Sequence, residues 1–299
     1  MSTQITTAMV AQYKANVEFA LQQKGSRLAG LVRGESQASE FDFYDEIGAV
    51  EAVEILTRHS DTPLISTPHS RRRVSLRDFD WADLIDKPDK IRTLIDPTSP
   101  YAVNATWALG RKKDDVILEA MYGSAWTGKT GATEVTWASV AGTQVVAINY
   151  VETGAAADSG LTIGKLRATK EILDSAEVDP DEARYIAVTS KQVTDLLRTT
   201  EVTSSDYNTV KALVEGKIDS FMGFNFVRTQ KVPAVSGSSD HRRVPAWVKS
   251  GILLATAIEI NVDIGPRRDK RNSTQVYASL GIGASRMNEY KLVEILCHE

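Results

Sequence analysis

The feature that most constrains this chain is a long helical pattern that begins after Pro97. Ser99 can cap a helix, and Pro100 suits the first helical position. Apolar residues then recur at helical spacing as far as Gly123, which is placed like a helix-closing glycine in the left-handed conformation. At 1.5 Å per residue, a helix over residues 99–122 would span about 36 Å.

A charged run, residues 111–115, lies in the middle of this helix directly after Gly110. It reads Arg-Lys-Lys-Asp-Asp, so opposite charges three and four residues apart can offset one another. We expect this part of the helix to face solvent or another subunit.

Directly after the helix, residues 123–130 match the phosphate-binding pattern G-x-x-x-x-G-K-[ST]. A working phosphate loop follows a buried strand and begins a helix at its lysine. Here the preceding segment is helical, and residues 131–137 open a strand or a loop. Lys129 would therefore lack a helix dipole, which favours a chance match. A nucleotide-binding enzyme that uses this loop is the less favoured alternative.

The composition argues against several kinds of site. The chain has 35 Lys and Arg against 39 Asp and Glu, a net charge of −4, whereas proteins that compact nucleic acid are basic. The single cysteine, Cys297, excludes an intrachain disulfide and a cysteine zinc site. The histidines are far apart in sequence, which predicts no metal site built on adjacent imidazoles: they are His59, His69, His241 and His298. No catalytic residue, metal or cofactor is predicted.

The sequence also bears on where the protein is made. No apolar run approaches the roughly 18 residues that a membrane helix requires. The first residues lack the basic-then-apolar order of a signal peptide. We expect synthesis in the cytoplasm and no membrane partner.

The N-terminal quarter predicts an arm followed by a weakly apolar segment. Thr7 can cap a helix whose apolar stripe runs to Leu21, and Gly25 is positioned to end it. Residues 26–55 contain too few apolar side chains for an independent core. This segment should therefore pack on another part of the structure.

Residues 59–97 contain four prolines, and residues 71–81 alternate charged with apolar side chains. The pattern predicts a long, exposed hairpin. Because an isolated strand pair is marginal in water, this hairpin needs a neighbouring surface to lie on.

The rest of the chain predicts a mixed α+β body with a β-rich end. Helices are predicted at residues 162–176, from Ser190 and at 206–214, and strands at 135–151, 185–188, 218–228, 251–265, 275–282 and 290–297, with a polar loop at 236–243.

Two stretches stand out, in chain order: residues 22–28, Gln-Gln-Lys-Gly-Ser-Arg-Leu, and residues 108–114, Ala-Leu-Gly-Arg-Lys-Lys-Asp, in the long helix that follows Asp96-Pro97. Taken in order with others, they resemble the major capsid protein of tailed bacteriophages, whose Hong Kong 97-type fold is shared with herpesvirus capsid floors and encapsulin compartments. The stretch in the long helix is the most specific. Weaker matches are residues 123–128, 185–188, 216–233, 281–286 and 293–295. The resemblance covers nearly the whole chain.

The resemblance implies an α+β fold with an N-terminal arm at residues 1–55 and an extended loop at 56–97. The peripheral domain would comprise residues 98–180, with the long helix at about 99–122, and 258–286. The axial domain would comprise residues 181–257 and 287–299. The resemblance further implies that the loop after the long helix reverses the chain and holds no nucleotide.

The function implied is a structural one: self-assembly into an icosahedral shell around the double-stranded DNA of a tailed phage, as part of the virion. The partners would be other copies in pentamers and hexamers, together with scaffold, portal and decoration proteins, and packaged DNA contacted without sequence specificity. An encapsulin-like compartment of the same fold is the alternative.

Two basic runs and their acidic neighbours are the candidate intersubunit contacts. The arginines could pair bidentately with carboxylates such as Asp78, Asp80 or Asp83 of a neighbouring copy, or they could simply be solvated loop charges. The candidates are Arg71, Arg72, Arg73, Arg77, Asp78, Asp80, Trp81, Arg267 and Arg268.

Overall fold

The computed structural model of this chain describes residues 21–54, 57, 61–62, 64–86, 98–139, 141–152, 154–198, 220–235, 237–238 and 240–299. The predicted N-terminal helix, up to residue 20, and the predicted helix at residues 206–214 lie outside the described residues.

The described helices are α1 (Thr98–Tyr122), α2 (Ala141–Gln144), α3 (Ile163–Ser175) and α4 (Ser190–Arg198). The described strands are β1 (Arg33–Ser36), β2 (Phe41–Ile47), β3 (His69–Ser75), β4 (Arg77–Ile85), β5 (Ala125–Thr127), β6 (Thr133–Val135), β7 (Val145–Val146), β8 (Arg184–Val188), β9 (Ser220–Phe221), β10 (Phe224–Arg228), β11 (His241–Val248), β12 (Ile252–Arg267), β13 (Ser273–Arg286) and β14 (Leu292–His298).

The long helix α1 confirms the prediction within one residue at its start. It packs on a four-stranded sheet of order β1-β12-β13-β4, and Leu109, Val116 and Ile117 are buried there. The predicted left-handed conformation of Gly123 is wrong, because this residue is not among those with positive φ. Its N–H donates to the Glu119 carbonyl at 2.7 Å, and a Cβ would lie 2.8 Å from that oxygen. Close approach to the last helical turn explains the glycine.

A second four-stranded sheet, of order β2-β3-β5-β6, corrects the predicted hairpin. β3 and β4 do not pair with each other, although they are separated only by Leu76: β3 pairs with β2 and β5, whereas β4 pairs with β13. The observed hairpin is β2–β3, with Phe41 opposite Ser75 and Ile47 opposite His69. Alternation identifies a strand but does not identify its neighbour, and the prediction failed for that reason.

The third sheet has six strands in the order β7-β14-β11-β8-β10-β9. It confirms the predicted strands at residues 185–188 and 290–297, while the strand predicted at 218–228 is two short strands joined by a turn at Met222 and Gly223. The polar loop predicted at 236–243 is wrong at its end, since β11 begins at His241. Its first residues are polar because Arg242 pairs with Glu299, directly after the last strand, and Arg243 pairs with Glu294 of that strand.

Helix α3 confirms its prediction, with the Thr162 side chain accepting a hydrogen bond from the Lys165 N–H. This helix packs against β14 and β7 of the six-stranded sheet. Its contacts therefore do not fit the predicted placement with the long helix in one domain.

The strand predicted at residues 135–151 is wrong: a 3-10 turn at Trp137–Ser139, α2 and the two-residue β7 occupy most of it.

One large apolar core contains buried residues of α1, of the four-stranded sheet with β12 and β13, and of the six-stranded sheet. Leu28 and Val32, from the N-terminal part of the chain, are buried in the same core. The first part of the weakly apolar segment, around residues 28–37, therefore packs on other elements as predicted, whereas its residues 47–54 are exposed. Buried Lys165 donates from Nζ to the carbonyls of Ile148, Ser159 and Leu296 at 2.7–2.9 Å. Desolvation lowers the pKa of this ammonium group.

Among the described helices, none is both long enough and apolar enough to cross a bilayer.

Candidate intersubunit surfaces

The β2–β3 hairpin is called here the ribbon. Its base is the end at which Phe41 pairs with Ser75, and this end is attached to the rest of the fold. Val74 packs against Leu253, Ala255 and Met287. A Cβ at Gly283 of β13 would lie 2.4 Å from the Ser75 carbonyl oxygen, so only glycine allows β3 to approach β13 this closely.

Arg72 provides a second attachment of the base, and this corrects its predicted role. The side chain is 8% exposed, and its Nη2 donates to both carboxylate oxygens of Glu289 at 2.6 and 2.8 Å. Its Nε donates to the Met287 carbonyl at 3.0 Å. Because this pair lies inside one chain, Arg72 is not a solvated charge and is not available as an intersubunit anchor.

Arg286 extends this buried cluster to the end of α1. Its Nε lies 3.8 Å from Glu289, and its Nη atoms donate to the carbonyls of Met121 at 3.0 Å, Gly123 at 2.5 Å and Val135 at 3.1 Å. The side chain is 0% exposed, and desolvation lowers its pKa. One guanidinium therefore satisfies C-terminal helix carbonyls and joins α1 to the β5–β6 hairpin.

The opposite end of the ribbon has no such support. Arg72 and Arg73 are the only residues of β3 that pair with β5, so the ribbon is two-stranded from there to the Ile47–His69 pair. Gly48 and Pro68 close it with one backbone hydrogen bond of 2.9 Å. Residues 48–68 are called the ribbon tip. Every described residue from 47 to 70 is exposed, including the large apolar side chains Ile47, Val50, Val53, Leu64 and Ile65.

The two other arginines of β3 lie along the ribbon's accessible face. Arg71 pairs with Asp45 across the strands through two hydrogen bonds, and its guanidinium lies 5.2 Å from the Phe43 ring centroid. This hydrogen bonding lowers the pKa of Asp45. Arg73 lies 5.4 Å from the ring centroid of Trp126, which is partly exposed. Both arginines have partners within the chain, and contacts with another subunit stay a prediction for them.

The candidates on β4 fall into two groups. Arg77 makes a bidentate pair with Glu119 of α1 at 2.9 and 3.0 Å, which lowers the pKa of Glu119. Trp81 packs against the core, whereas Asp78 and Asp80 are exposed. These two carboxylates border a shallow hollow whose apolar lining is Phe79, Ile258, Tyr277 and Leu280. An intersubunit role of this surface stays a prediction.

The last candidates lie at the turn between β12 and β13. Arg267 makes two hydrogen bonds to Asp269, which lower the pKa of that carboxyl to about 2. Arg268 is exposed at the same turn. The structure therefore places these two arginines together, at the end of the longest strands, and separates them from Arg71, Arg72 and Arg73.

The charged run in the middle of α1 binds residues 22–28, called here the arm segment. The sequence did not predict this contact. Asp114, at 0% exposure, accepts hydrogen bonds from the Gln23 and Ser26 side chains at 2.6 and 2.5 Å and from the N–H groups of Arg27 and Leu28 at 3.1 Å. These contacts are called the arm latch. They replace the predicted solvated or intersubunit face.

Gly110 and Arg111 complete the docking site beside Asp114. A Cβ at Gly110 would lie 2.7 Å from the Gly25 Cα, so a larger residue would push the arm segment away. Arg111 donates to the Gln22 side chain at 2.8 Å and to the Gln23 carbonyl at 3.1 Å. Residues 22–28 and 108–114, two stretches that carried the resemblance to the phage family, are therefore in direct contact.

Replacing Asp114 with alanine should release the arm segment from α1. The change leaves the N–H groups of Arg27 and Leu28 without their acceptor, at a cost of about 3 kcal/mol, or on the order of a hundredfold faster amide exchange at these positions. Hydrogen exchange with mass spectrometry of residues 22–31 measures this. Asp115→Ala is the matched control, because Asp115 pairs with Lys231 on a half-exposed face and should leave the exchange unchanged. Equal protection in both variants would contradict the latch.

The phosphate-loop match lies in a β-hairpin. Residues 123–130 leave α1, form β5 and turn toward β6 through Gly128 and Gly131, whose φ angles are 90° and 63°. Lys129 is exposed in this turn, and no helix begins there. The predicted order of helix, loop and strand around residues 123–130 is confirmed.

Comparisons with known proteins agree with this geometry. A family model described as phage capsid protein matches residues 5–299. No curated protein matches the chain. The family that matches is the phage one, which favours it over the compartment alternative and over a nucleotide-binding enzyme.

Solved capsid structures share the fold at low sequence identity. The capsid structure of the cyanophage P-SCSP1u aligns with a TM-score of 0.74 and 13% identity, over 97% of this chain and 93% of that chain. The head of Helicobacter pylori bacteriophage KHP40 aligns at 0.73 and 12%, over 96% and 95%. The cyanophage Pam1 capsid aligns at 0.71 and 17%, over 98% and 97%. The chain has the Hong Kong 97-type fold, and it belongs to the phage capsid protein family as a structural shell protein.

Proposed function

We propose that the ribbon tip is the element by which each copy of this shell protein grips a neighbouring copy. The observation that carries the proposal is the contrast within one hairpin. Its base is buried against β12 and β13, whereas every described residue from 47 to 70 is exposed. A two-stranded ribbon is marginal in water unless another surface covers it. Clustered apolar side chains on a soluble subunit mark an interaction site.

The proposed division of the chain follows the three sheets. Residues up to about 40 form the arm and its latch, and the extended loop is the β2–β3 hairpin, which starts earlier than the sequence suggested. The peripheral domain contains α1 with the sheet of β1, β12, β13 and β4. The axial domain contains the six-stranded sheet with α3, because that helix packs on β14 and β7.

The finer functional proposals rest on family membership and on charge. Copies associate as pentamers and hexamers in the shell of a virion, after synthesis in the cytoplasm of the bacterial host. Scaffold, portal and decoration proteins are the proposed partners, and packaged DNA is contacted without sequence specificity. A net charge of −4 supports weak contact, since a shell wall that neutralised many phosphates would hold DNA tightly.

Cysteine labelling at the ribbon tip tests the proposal in assembled particles. The chain's single thiol, Cys297, is buried, and burial raises its pKa to about 12, so it should not react. A cysteine introduced as Leu64→Cys should react rapidly with a maleimide in dissociated subunits. In shells it should react at least about tenfold more slowly, because the neighbouring copy covers it. Equal rates in shells and subunits would refute a covered tip. The wild-type chain, treated in parallel, reports any reaction of Cys297.

A further inference from the structure

Two histidines that are 57 positions apart in the sequence lie side by side on the six-stranded sheet. His241 begins β11 and His298 ends β14, and the antiparallel register places them opposite each other. Their ring centroids are 5.7 Å apart, with an angle of 58° between the ring planes. His298 is exposed and His241 is half-buried, so a small solute can reach the pair.

The backbone explains why the two imidazoles are so close. The His298 N–H donates to Ser159 and the His241 carbonyl accepts from Val235, so neither group is used between the two histidines. The Glu299 N–H instead donates to the Asp240 carbonyl at 2.7 Å, which makes the adjacent positions the hydrogen-bonded pair. The histidines therefore occupy a non-hydrogen-bonded pair, the type in which opposite side chains approach most closely.

This spacing suits a shared metal ion. Two imidazoles bound to one tetrahedral Zn²⁺ through Zn–N bonds of about 2.0–2.1 Å have ring centroids about 5 Å apart. Small side-chain rotations close the difference from the observed separation, and the partial exposure of both residues leaves room for them. Imidazole nitrogen is a ligand that Zn²⁺, Ni²⁺ and Cu²⁺ accept, whereas Mg²⁺ prefers oxygen.

Among the described neighbours, we find no third ligand for a shared ion. Alternate strand positions face the other side of the sheet, where the Glu299 carboxylate is held by Arg242 at 3.1 Å and by Gln192 at 3.1 Å. Within the described residues, no group of three potential His, Cys, Asp or Glu ligands occurs. A metal held by this pair would therefore keep water in its remaining positions and exchange readily.

We propose that His241 and His298 form a two-histidine site for a divalent transition-metal ion, of which Zn²⁺ and Ni²⁺ are the probes. The bound ion joins the first residue of β11 to the last residue of β14, and so fastens the C-terminal strand to the sheet. Both ligands come from one chain, and neither lies in the ribbon.

Isothermal titration of the full-length protein with Zn²⁺, and separately with Ni²⁺, tests the site. One ion per chain should bind, and excess Mg²⁺ should not compete. Loss of a ligand's hydrogen-bond partner alone costs about 10–100-fold in metal affinity, so removing a ligand should weaken binding by at least about tenfold. His241→Ala and His298→Ala should each have this effect, and the double variant should not weaken binding much further.

His69→Ala is the matched control, because His69 is an exposed strand histidine remote from the pair in the sheet order. This variant should bind Zn²⁺ like the wild type. Circular dichroism checks that the two pair variants remain folded, which is expected since neither side chain is in the core. A wild type that shows no saturable binding would overturn the proposal. Binding that survives both single substitutions would overturn it as well.

Discussion

Replacing Arg286 with methionine should destabilise the folded subunit by about 3–5 kcal/mol, the usual cost of breaking a buried charged network. Methionine keeps much of the apolar volume but donates no hydrogen bond. The carbonyls of Met121, Gly123 and Val135 would then lose their donor, and the bond to the Met121 carbonyl is fully buried. The end of α1 and the β5–β6 hairpin should loosen together, because the same guanidinium holds both.

The urea concentration at half-unfolding of dissociated subunits measures this effect. Arg77→Met is the matched control, since Arg77 also pairs with a carboxylate of the long helix, but both side chains are about half exposed, at 47% and 62%. An exposed ion pair contributes about 0–1 kcal/mol, so this variant should unfold near the wild-type midpoint. Similar midpoints for the two variants would show that the buried cluster is not a principal support of the fold.

Because of Glu289, substitution of any single charged residue of the cluster should leave other buried groups without a partner. The Glu289 carboxylate lies between two guanidinium groups, at 2.6 Å from Arg72 and 3.8 Å from Arg286. Removing the carboxylate would leave two buried cations facing each other, and removing either arginine would leave buried acceptors unpaired. The base of the ribbon and the end of α1 are therefore one electrostatic unit, although residues 72 and 286 are far apart in sequence.

The sequence predicted the two helices whose ends are marked by nearby capping residues, prolines or glycines. The sequence of the long helix offers a candidate cap and a proline near its start and a glycine after its end, and the observed bounds, Thr98–Tyr122, lie within one residue of the predicted ones. The helix at residues 163–175 likewise starts after Thr162, whose side chain caps it. Such signals need only a few neighbouring residues, so they remain readable without knowledge of the tertiary structure.

The sequence did not predict the contacts between residues that are distant along the chain. Asp114 looked like one charge among five on a helix surface, yet its partners at residues 23–28 bury it completely. Likewise, the start of β11 was predicted as a loop because its first residues are charged, and their carboxylate partners, Glu294 and Glu299, lie at the distant C-terminal end of the chain. The distant spacing of His241 and His298 gave no indication of their contact in the sheet.

Arg72 is a case in which the sequence did contain a usable signal. Successive residues of a strand face opposite sides of the sheet, so Arg72 shares a face with Val74 and not with Arg71 or Arg73. Val74 is buried, and a large apolar residue at alternate positions should have marked this face as the inner one. Treating the three arginines as one basic run concealed the alternation. The two outer arginines remain accessible, and only the middle one supports the ribbon's base.

The double substitution Leu64→Asp with Ile65→Asp should abolish shell formation while leaving the subunit folded. Both side chains are exposed in the subunit, Leu64 at 98%, so the substitutions should change its free energy of unfolding by no more than about 0.5 kcal/mol. In a shell, the same positions would place two carboxylates against the neighbouring copy. Each copy would lose about 1.5–3 kcal/mol of apolar burial per side chain and would also have to desolvate two charges.

Sedimentation and negative-stain microscopy of the variant, produced in the same way as wild-type particles, measure the outcome. The pair Leu64→Met with Ile65→Val is the matched control, because it changes the same positions but keeps them apolar, and it should form shells. Normal shells from the aspartate variant would show that the tip stays in water after assembly. A closed shell repeats each contact in every copy, so a moderate loss at one contact is multiplied across the particle, while the isolated subunit is unaffected. Failure of assembly without unfolding is therefore the result that separates an assembly surface from a structural one.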